Sequence, residues 1–112
     1  MRKIILRFHA VDKANFKKIK DGLKTVETRA ATTRYQNIKK GDVLVIVCGK
    51  ERIIKKVKCV RHFKNIKSMT KAISFKKIMP SVKSIIEMRK IYSGYPGYKE
   101  KIKRFGLIAL EI

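Results

Sequence analysis

The sequence predicts a small α+β fold in which a strand, a helix, a group of strands, a group of helices and a closing strand share one core. Three observations predict it. The run Val43-Leu-Val-Ile-Val-Cys48 is apolar at every position, as in a strand buried on both faces or closing into a barrel. Apolar residues alternate near the start, at Ile4, Leu6 and Phe8, and fill the final segment Gly106–Ile112. Between these, apolar residues recur at helical spacing, first at Phe16, Ile19 and Leu23 and then from Ile66 to Tyr92.

Residues 2–8 read as the first strand, with Ile4, Leu6 and Phe8 on one face. Asp12 is placed to cap the helix that follows, and Gly22 to end it, because glycine takes the left-handed conformation at a helix C-terminus without steric cost. The β-branched stretch Thr25-Val26-Glu27-Thr28 is a strand. Residues 30–41 form a polar connection, and Lys40-Gly41-Asp42 turns into the Val43–Cys48 strand. Gly49-Lys50-Glu51 is a tight hairpin, followed by one long lysine-studded arm from Ile53 to Phe63 whose charges discourage edge-to-edge pairing. Ile66–Ile73 and Phe75–Met79 are helical, Ser84 caps a further helix through Tyr92, and Gly94-Tyr-Pro-Gly-Tyr98 breaks it. Tyr98–Phe105 is a basic, partly helical arm, and Gly106–Ile112 is a strand tied into the sheet.

A chain of 112 residues suits a single domain, residues 1–112, with one hydrophobic core and no need of metal or disulfide staples. No apolar run approaches the ~20 residues that span a bilayer, and the apolar patch after Arg2 and Lys3 is too short for a leader. Cys48 and Cys59 lie in apolar strands without metal-ligand spacing, which points to reduced core thiols, no metal and an intracellular, cytoplasmic protein (host cytoplasm or nucleus if viral). Thirty Lys and Arg against eight Asp and Glu give a net charge of +22, divided as +11 in each half of the chain. Such a field draws polyanions and gives salt-dependent phosphate binding, so a nucleic acid is the expected partner ahead of an acidic membrane surface or an acidic protein.

The densest chemistry lies in Gly22-Leu23-Lys24-Thr25-Val26-Glu27-Thr28-Arg29, which fits GxKxxExR. Glu27 and Arg29 are two apart on a strand and share a face, so the carboxylate can hold the guanidinium fork for a phosphate or a base edge. Lys24 joins them only if the chain bends near Gly22; the bland alternative is a salt-bridge cluster pinning helix to sheet. Tyr35, beside Arg34 in a polar loop, is the first choice for stacking a base, with Tyr92, Tyr95 and Tyr98 as further candidates. Lys55-Lys56, Lys76-Lys77 and Lys99, Lys101, Lys103 and Arg104 are candidates for backbone phosphates. His9 and His62 fall outside the motif and read as strand-end or surface residues.

Three blocks together resemble the ASCH domain family of the PUA-like superfamily: Gly22–Arg29 with its preceding helix, the Ile38-Lys-Lys-Gly-Asp42-Val-Leu turn and strand, and Met79–Ser84 through Tyr95-Pro96-Gly97 to Phe105–Ile112. The last block is similar to compact archaeal and viral-type single-domain members. The resemblance implies a PUA-like small β-barrel of about five to six strands with helices beside it. It also implies a cleft lined by Gly22, Lys24, Glu27 and Arg29 that accepts RNA or a nucleotide, a modified one included, with no cofactor. Some bacterial relatives are amidohydrolases acting on N4-acetylcytidine through a lysine, a threonine and a distant glutamate. Lys24 matches that lysine, but Glu27 occupies the threonine position and the distant glutamate has no counterpart. If the chain is an enzyme on RNA or nucleosides, an amidohydrolase or a ribonuclease, the catalytic candidates are Lys24, Thr25 and Glu27. The other alternative is a basic structural ribonucleoprotein component.

Overall fold

The computed structural model describes residues 1–112. Six strands and five helices follow in the order β1 (Lys3–Phe8), α1 (Lys13–Lys20), β2 (Val26–Ala30), β3 (Val43–Cys48), β4 (Glu51–Lys56), β5 (Cys59–Phe63), α2 (Ile66–Ala72), α3 (Phe75–Ile78), α4 (Ile85–Gly94), α5 (Tyr98–Phe105) and β6 (Leu107–Glu111). The α+β class is as expected.

The strands form two three-stranded sheets, β1-β3-β4 and β2-β6-β5. β1 pairs parallel with β3, which pairs antiparallel with β4 across the Gly49-Lys50 turn, and β6 lies antiparallel between β2 and β5. Here the expected single arm from Ile53 to Phe63 is corrected. It breaks after Lys56, where Val57 N–H donates to Asp42 O (2.8 Å) and Lys58 N–H donates to Glu111 O (2.7 Å), so the chain leaves one sheet and enters the other. Backbone pairing thus runs continuously from β1 through β3, the β4–β5 ribbon and β6 to β2, but β1 and β2 do not pair with each other. The six strands match the expected number; their hydrogen bonds do not close a barrel.

Two apolar clusters fill the inside. One joins Leu6, Phe16, Ile19, Leu44, Ile46, Ile108 and Leu110, seating α1 against the inner face of the first sheet. The other gathers Val26, Met69, Ile78, Met88, Tyr92, Ile102 and Leu107 beneath helices α2–α5. β2 and β6 divide the two, which is why β6 is buried from Leu107 to Leu110. Gly106 permits the passage from α5 into β6: with φ +74° and a carbonyl of Phe63 2.5 Å from where a Cβ would stand, no other residue fits without displacement.

The turn chemistry follows the sequence closely. Asp42 accepts from Lys39 N–H (2.9 Å) and Arg2 N–H (3.1 Å), fastening the turn to the start of β1, and these bonds hold its carboxyl below the ordinary range. Ser84 Oγ accepts from Glu87 N–H (3.1 Å) at the start of α4. No helix is long and apolar enough to cross a membrane.

Candidate functional site

The end of α1 sets the site in place. Gly22 takes φ +78°, and Leu23 and Lys24 N–H both return to Lys18 O (2.9 and 3.1 Å), so the chain reverses tightly before entering β2. This is the bend that Lys24 requires to join Glu27. Its ammonium, buried in the structure, donates to Val26 O (2.8 Å) and to Ile78 O, and faces Glu27 Oε1 at 3.5 Å. Burial lowers the lysine pKa and the Glu27 charge works the other way, leaving it below its ordinary value.

Glu27 Oε1 also accepts from Thr28 N–H at 2.9 Å. Glu27 Oε2 is different. It is buried and accepts no hydrogen bond; the nearest cation is Arg29 Nη2 at 3.6 Å. An ionised oxygen left in that condition is costly unless something is meant to reach it.

Arg29 lies between rings, 5.3 Å from the Phe8 centroid and 5.7 Å from that of Tyr35, and its Nη2 reaches Arg7 O on β1 at 3.4 Å. Burial opposes its charge, but Glu27 and the surrounding tyrosine hydroxyls outweigh burial and raise the arginine pKa.

These groups border a cavity of about 290 Å³ where the unpaired edges of β1 and β2 face each other. β1 and the turn after it bring Arg7, Phe8, His9 and Asp12, and α1 brings Asn15. The motif brings Lys24, Glu27, Thr28 and Arg29; Met79, Tyr92, Tyr95, Pro96, Tyr98 and Lys101 complete the wall. The three tyrosines form a cluster. The Tyr92 and Tyr98 rings lie 6.2 Å apart and nearly parallel, and Tyr95 meets Tyr98 edge-on at 5.3 Å. Tyr92 Oη bonds Thr28 Oγ1, and Tyr98 Oη accepts from Ala30 N–H (3.0 Å), which leaves the Tyr98 proton free to donate. Burial raises the pKa of all three, pushing Tyr95 up to about 12 with help from the Asp12 carboxylate.

The structure therefore brings together Lys24, Glu27, Arg29 and Lys101, and separates others. Gly22 shapes the approach without lining the cavity. Thr25 lines a second cavity of about 170 Å³ with Arg61, Ser74 and Lys77, so it does not share the first cavity with Lys24. Lys24 Nζ faces Val26 O, Ile78 O and Glu27 Oε1, and no hydrogen bond joins it to the Thr25 hydroxyl. Tyr35 is half-buried against the core, with Arg29 on it and Arg34 5.6 Å from its centroid; it lies outside the cavity wall. Lys55 and Lys56 point to opposite faces of β4, and neither lines the cavity. Lys99, Lys103 and Arg104 are exposed on α5, the helix that carries Lys101.

Several wall residues were not singled out by sequence reasoning. Asp12 does not cap α1 through its side chain, contrary to expectation; its Oδ1 lies 3.5 Å from Tyr95 Oη instead. Asn15 and Thr28 gave no signal beyond their proximity to the motif. His9 reads as a strand-end residue and does sit at the end of β1, yet it borders the cavity. No group of three or more His, Cys, Asp or Glu gathers in metal-binding geometry.

No curated protein matches the chain. Solved structures do. A crystal structure of the hypothetical protein PH0355 is similar at a TM-score of 0.80 and 29% identity, with 99% of this chain and 96% of that one covered. An NMR structure of the protein PF0455 from Pyrococcus furiosus is similar at a TM-score of 0.72 and 27% identity, over 97% and 94% of the two chains. The ASCH domain model matches residues 10–112, motif and closing strand included, and the chain therefore belongs to the ASCH domain family.

Proposed function

We propose that residues 1–112 act as one RNA-binding ASCH domain, in which the cavity between β1 and β2 takes a single nucleotide and the basic surface holds the flanking phosphates. The architecture is then a PUA-like barrel left open at its binding seam. The observation that carries this reading is Glu27 Oε2, a buried carboxylate oxygen with no hydrogen-bond donor on the wall of a cavity that also holds a guanidinium and three tyrosine rings. A nucleobase supplies what the site lacks: an N–H for that oxygen, an acceptor for Arg29 or the free Tyr98 proton, and a flat face for aromatic contact. At about 290 Å³ the cavity stands at the small end of the ~300–1,000 Å³ of ordinary ligand pockets, a size for one base with its sugar. The neighbouring helix α5 offers Lys99, Lys101, Lys103 and Arg104 to phosphates.

The test is binding of single-stranded RNA followed by fluorescence anisotropy at low and physiological salt, with the wild type and Glu27→Gln. Phosphate neutralisation makes affinity fall steeply with salt. Glu27→Gln replaces an acceptor-only group by an amide, and loss of one buried base contact is expected to weaken binding about 10-fold to 100-fold at fixed salt. Affinity indifferent to both salt and the substitution would sink the proposal. Incubation with N4-acetylcytidine runs beside it; turnover that is lost in a Lys24→Met variant still folded by circular dichroism would convert the reading from binder to enzyme.

A further inference from the structure

The outer face of the β1-β3-β4 sheet carries a pattern of which only Arg7 also borders the cavity. The register places Lys3, Val43 and Lys56 in one row, Ile5, Val45 and Ile54 in the next, and Arg7, Val47 and Arg52 in the third. Strand alternation puts all nine side chains on one face, opposite the inner row of Leu6, Leu44 and Ile46. The result is an apolar cross with a cation at each corner.

No helix covers it: α1 packs on the inner face, and α2–α5 lie against the other cluster. Ile54 is 67% exposed and Ile5 44% exposed. Natural sheets usually place polar residues on an open face, so two isoleucines in register across a valine column are a costly choice for a merely solvated surface.

The charges identify the kind of occupant. All four corners are Lys or Arg, and the nine positions include no acid. A second copy of this chain docked through the same face would set cations against cations in a molecule already carrying +22. RNA fits the corners but not the centre, which has no aromatic ring or hydrogen-bonding side chain to meet a base. An apolar centre with a charged rim is the usual anatomy of a protein interface. We propose that this face docks an acidic protein partner, whose apolar ridge lies along Val43, Val45 and Val47 while its carboxylates meet Lys3, Arg7, Arg52 and Lys56. The inference does not rest on the nucleotide reading, since eight of the nine residues lie outside the cavity wall.

The intact chain, labelled on Ile and Val methyl groups, is titrated in the NMR spectrometer with three probes. The first is a helical peptide with Leu at positions i, i+3, i+4 and i+7 and Glu elsewhere; the second is the same peptide with every Leu changed to Ser; the third is oligouridylate. The leucine peptide is expected to shift the methyls of Ile5, Val45 and Ile54. It should bind about tenfold more tightly than the serine peptide and lose about that factor in Ile54→Glu, a position 67% exposed. Equal affinity for the two peptides, or for wild type and Ile54→Glu, overturns the proposal by leaving only general attraction between opposite charges. Oligouridylate shifting these same methyls also overturns it, and assigns the face to RNA.

Discussion

Lys24 Nζ stands 3.5 Å from Glu27 Oε1, with the two side chains only 4% and 7% exposed. The backbone holds this pair as firmly as its own attraction does, since two carbonyls and one amide complete its hydrogen bonds. Removing one member strands the other in the interior. Lys24→Met is expected to cost about 3–5 kcal/mol, because Glu27 and two carbonyls lose their donor together. Glu27→Gln keeps the shape and an acceptor and should cost less, about 1–3 kcal/mol. Urea unfolding of each variant measures both, and the reverse order would contradict the bonding described.

Alkaline titration should report the tyrosine cluster. Tyr95 holds its proton up to about 12, and burial shifts Tyr92 and Tyr98 in the same direction from the ordinary tyrosine value of 10.0. Between about 10 and about 12 the folded chain therefore retains protons that the unfolded chain releases, and stability falls as pH rises through that interval. Lys24 acts in the opposite sense just below 10.5, since its depressed pKa lets the folded chain release a proton that the unfolded chain keeps. Phenolate absorbance followed with pH should show a component near 12 that Tyr95→Phe removes.

Two glycines separate conformational strain from steric conflict. Gly22→Ala places a Cβ in open space, so only the positive φ opposes it, at about 1 kcal/mol. Gly106→Ala meets Phe63 O at 2.5 Å besides needing φ +74° and ψ −163°, and should cost about 2–4 kcal/mol. Thermal unfolding of the two variants checks the order.

Binding should divide between base and backbone contacts. Arg29→Lys keeps the charge but loses the fork and its contact with the Phe8 and Tyr35 rings, so nucleotide affinity is expected to fall about tenfold with the salt slope preserved. Lys99→Ala and Lys103→Ala should each reduce the logarithmic salt slope by about 0.7 for single-stranded RNA, whatever its sequence. Anisotropy titrations over a salt series separate the two behaviours.

The elements most legible in the sequence were those specified locally. Gly22 ends α1, Ser84 caps α4, Asp42 ties the turn, and the apolar run Val43–Cys48 is the central strand of its sheet. The break between β4 and β5 was hidden because Val57 and Lys58 continue the apolar and basic alternation without a glycine or proline. Distant partners impose the change of sheet, namely Asp42 O and Glu111 O. The motif residues Lys24, Glu27 and Arg29 line one cavity, yet no pattern could reveal that one Glu27 oxygen lacks a donor or that Asp12 turns toward Tyr95. Those facts depend on how α1 and the segment around Pro96 meet across the seam.

The ring of strands is bridged at that seam by a side chain rather than a ladder. Arg29 Nη2 to Arg7 O is the one hydrogen bond between β1 and β2, and the same guanidinium stands next to the donor-free oxygen of Glu27. Arg29 is thus a latch. Releasing it breaks one weak hydrogen bond, an ion pair with Glu27 and two ring contacts, but no strand pairing. For the proposed nucleotide, reaching the Glu27 oxygen would then require a change of the Arg29 rotamer and not an opening of a sheet.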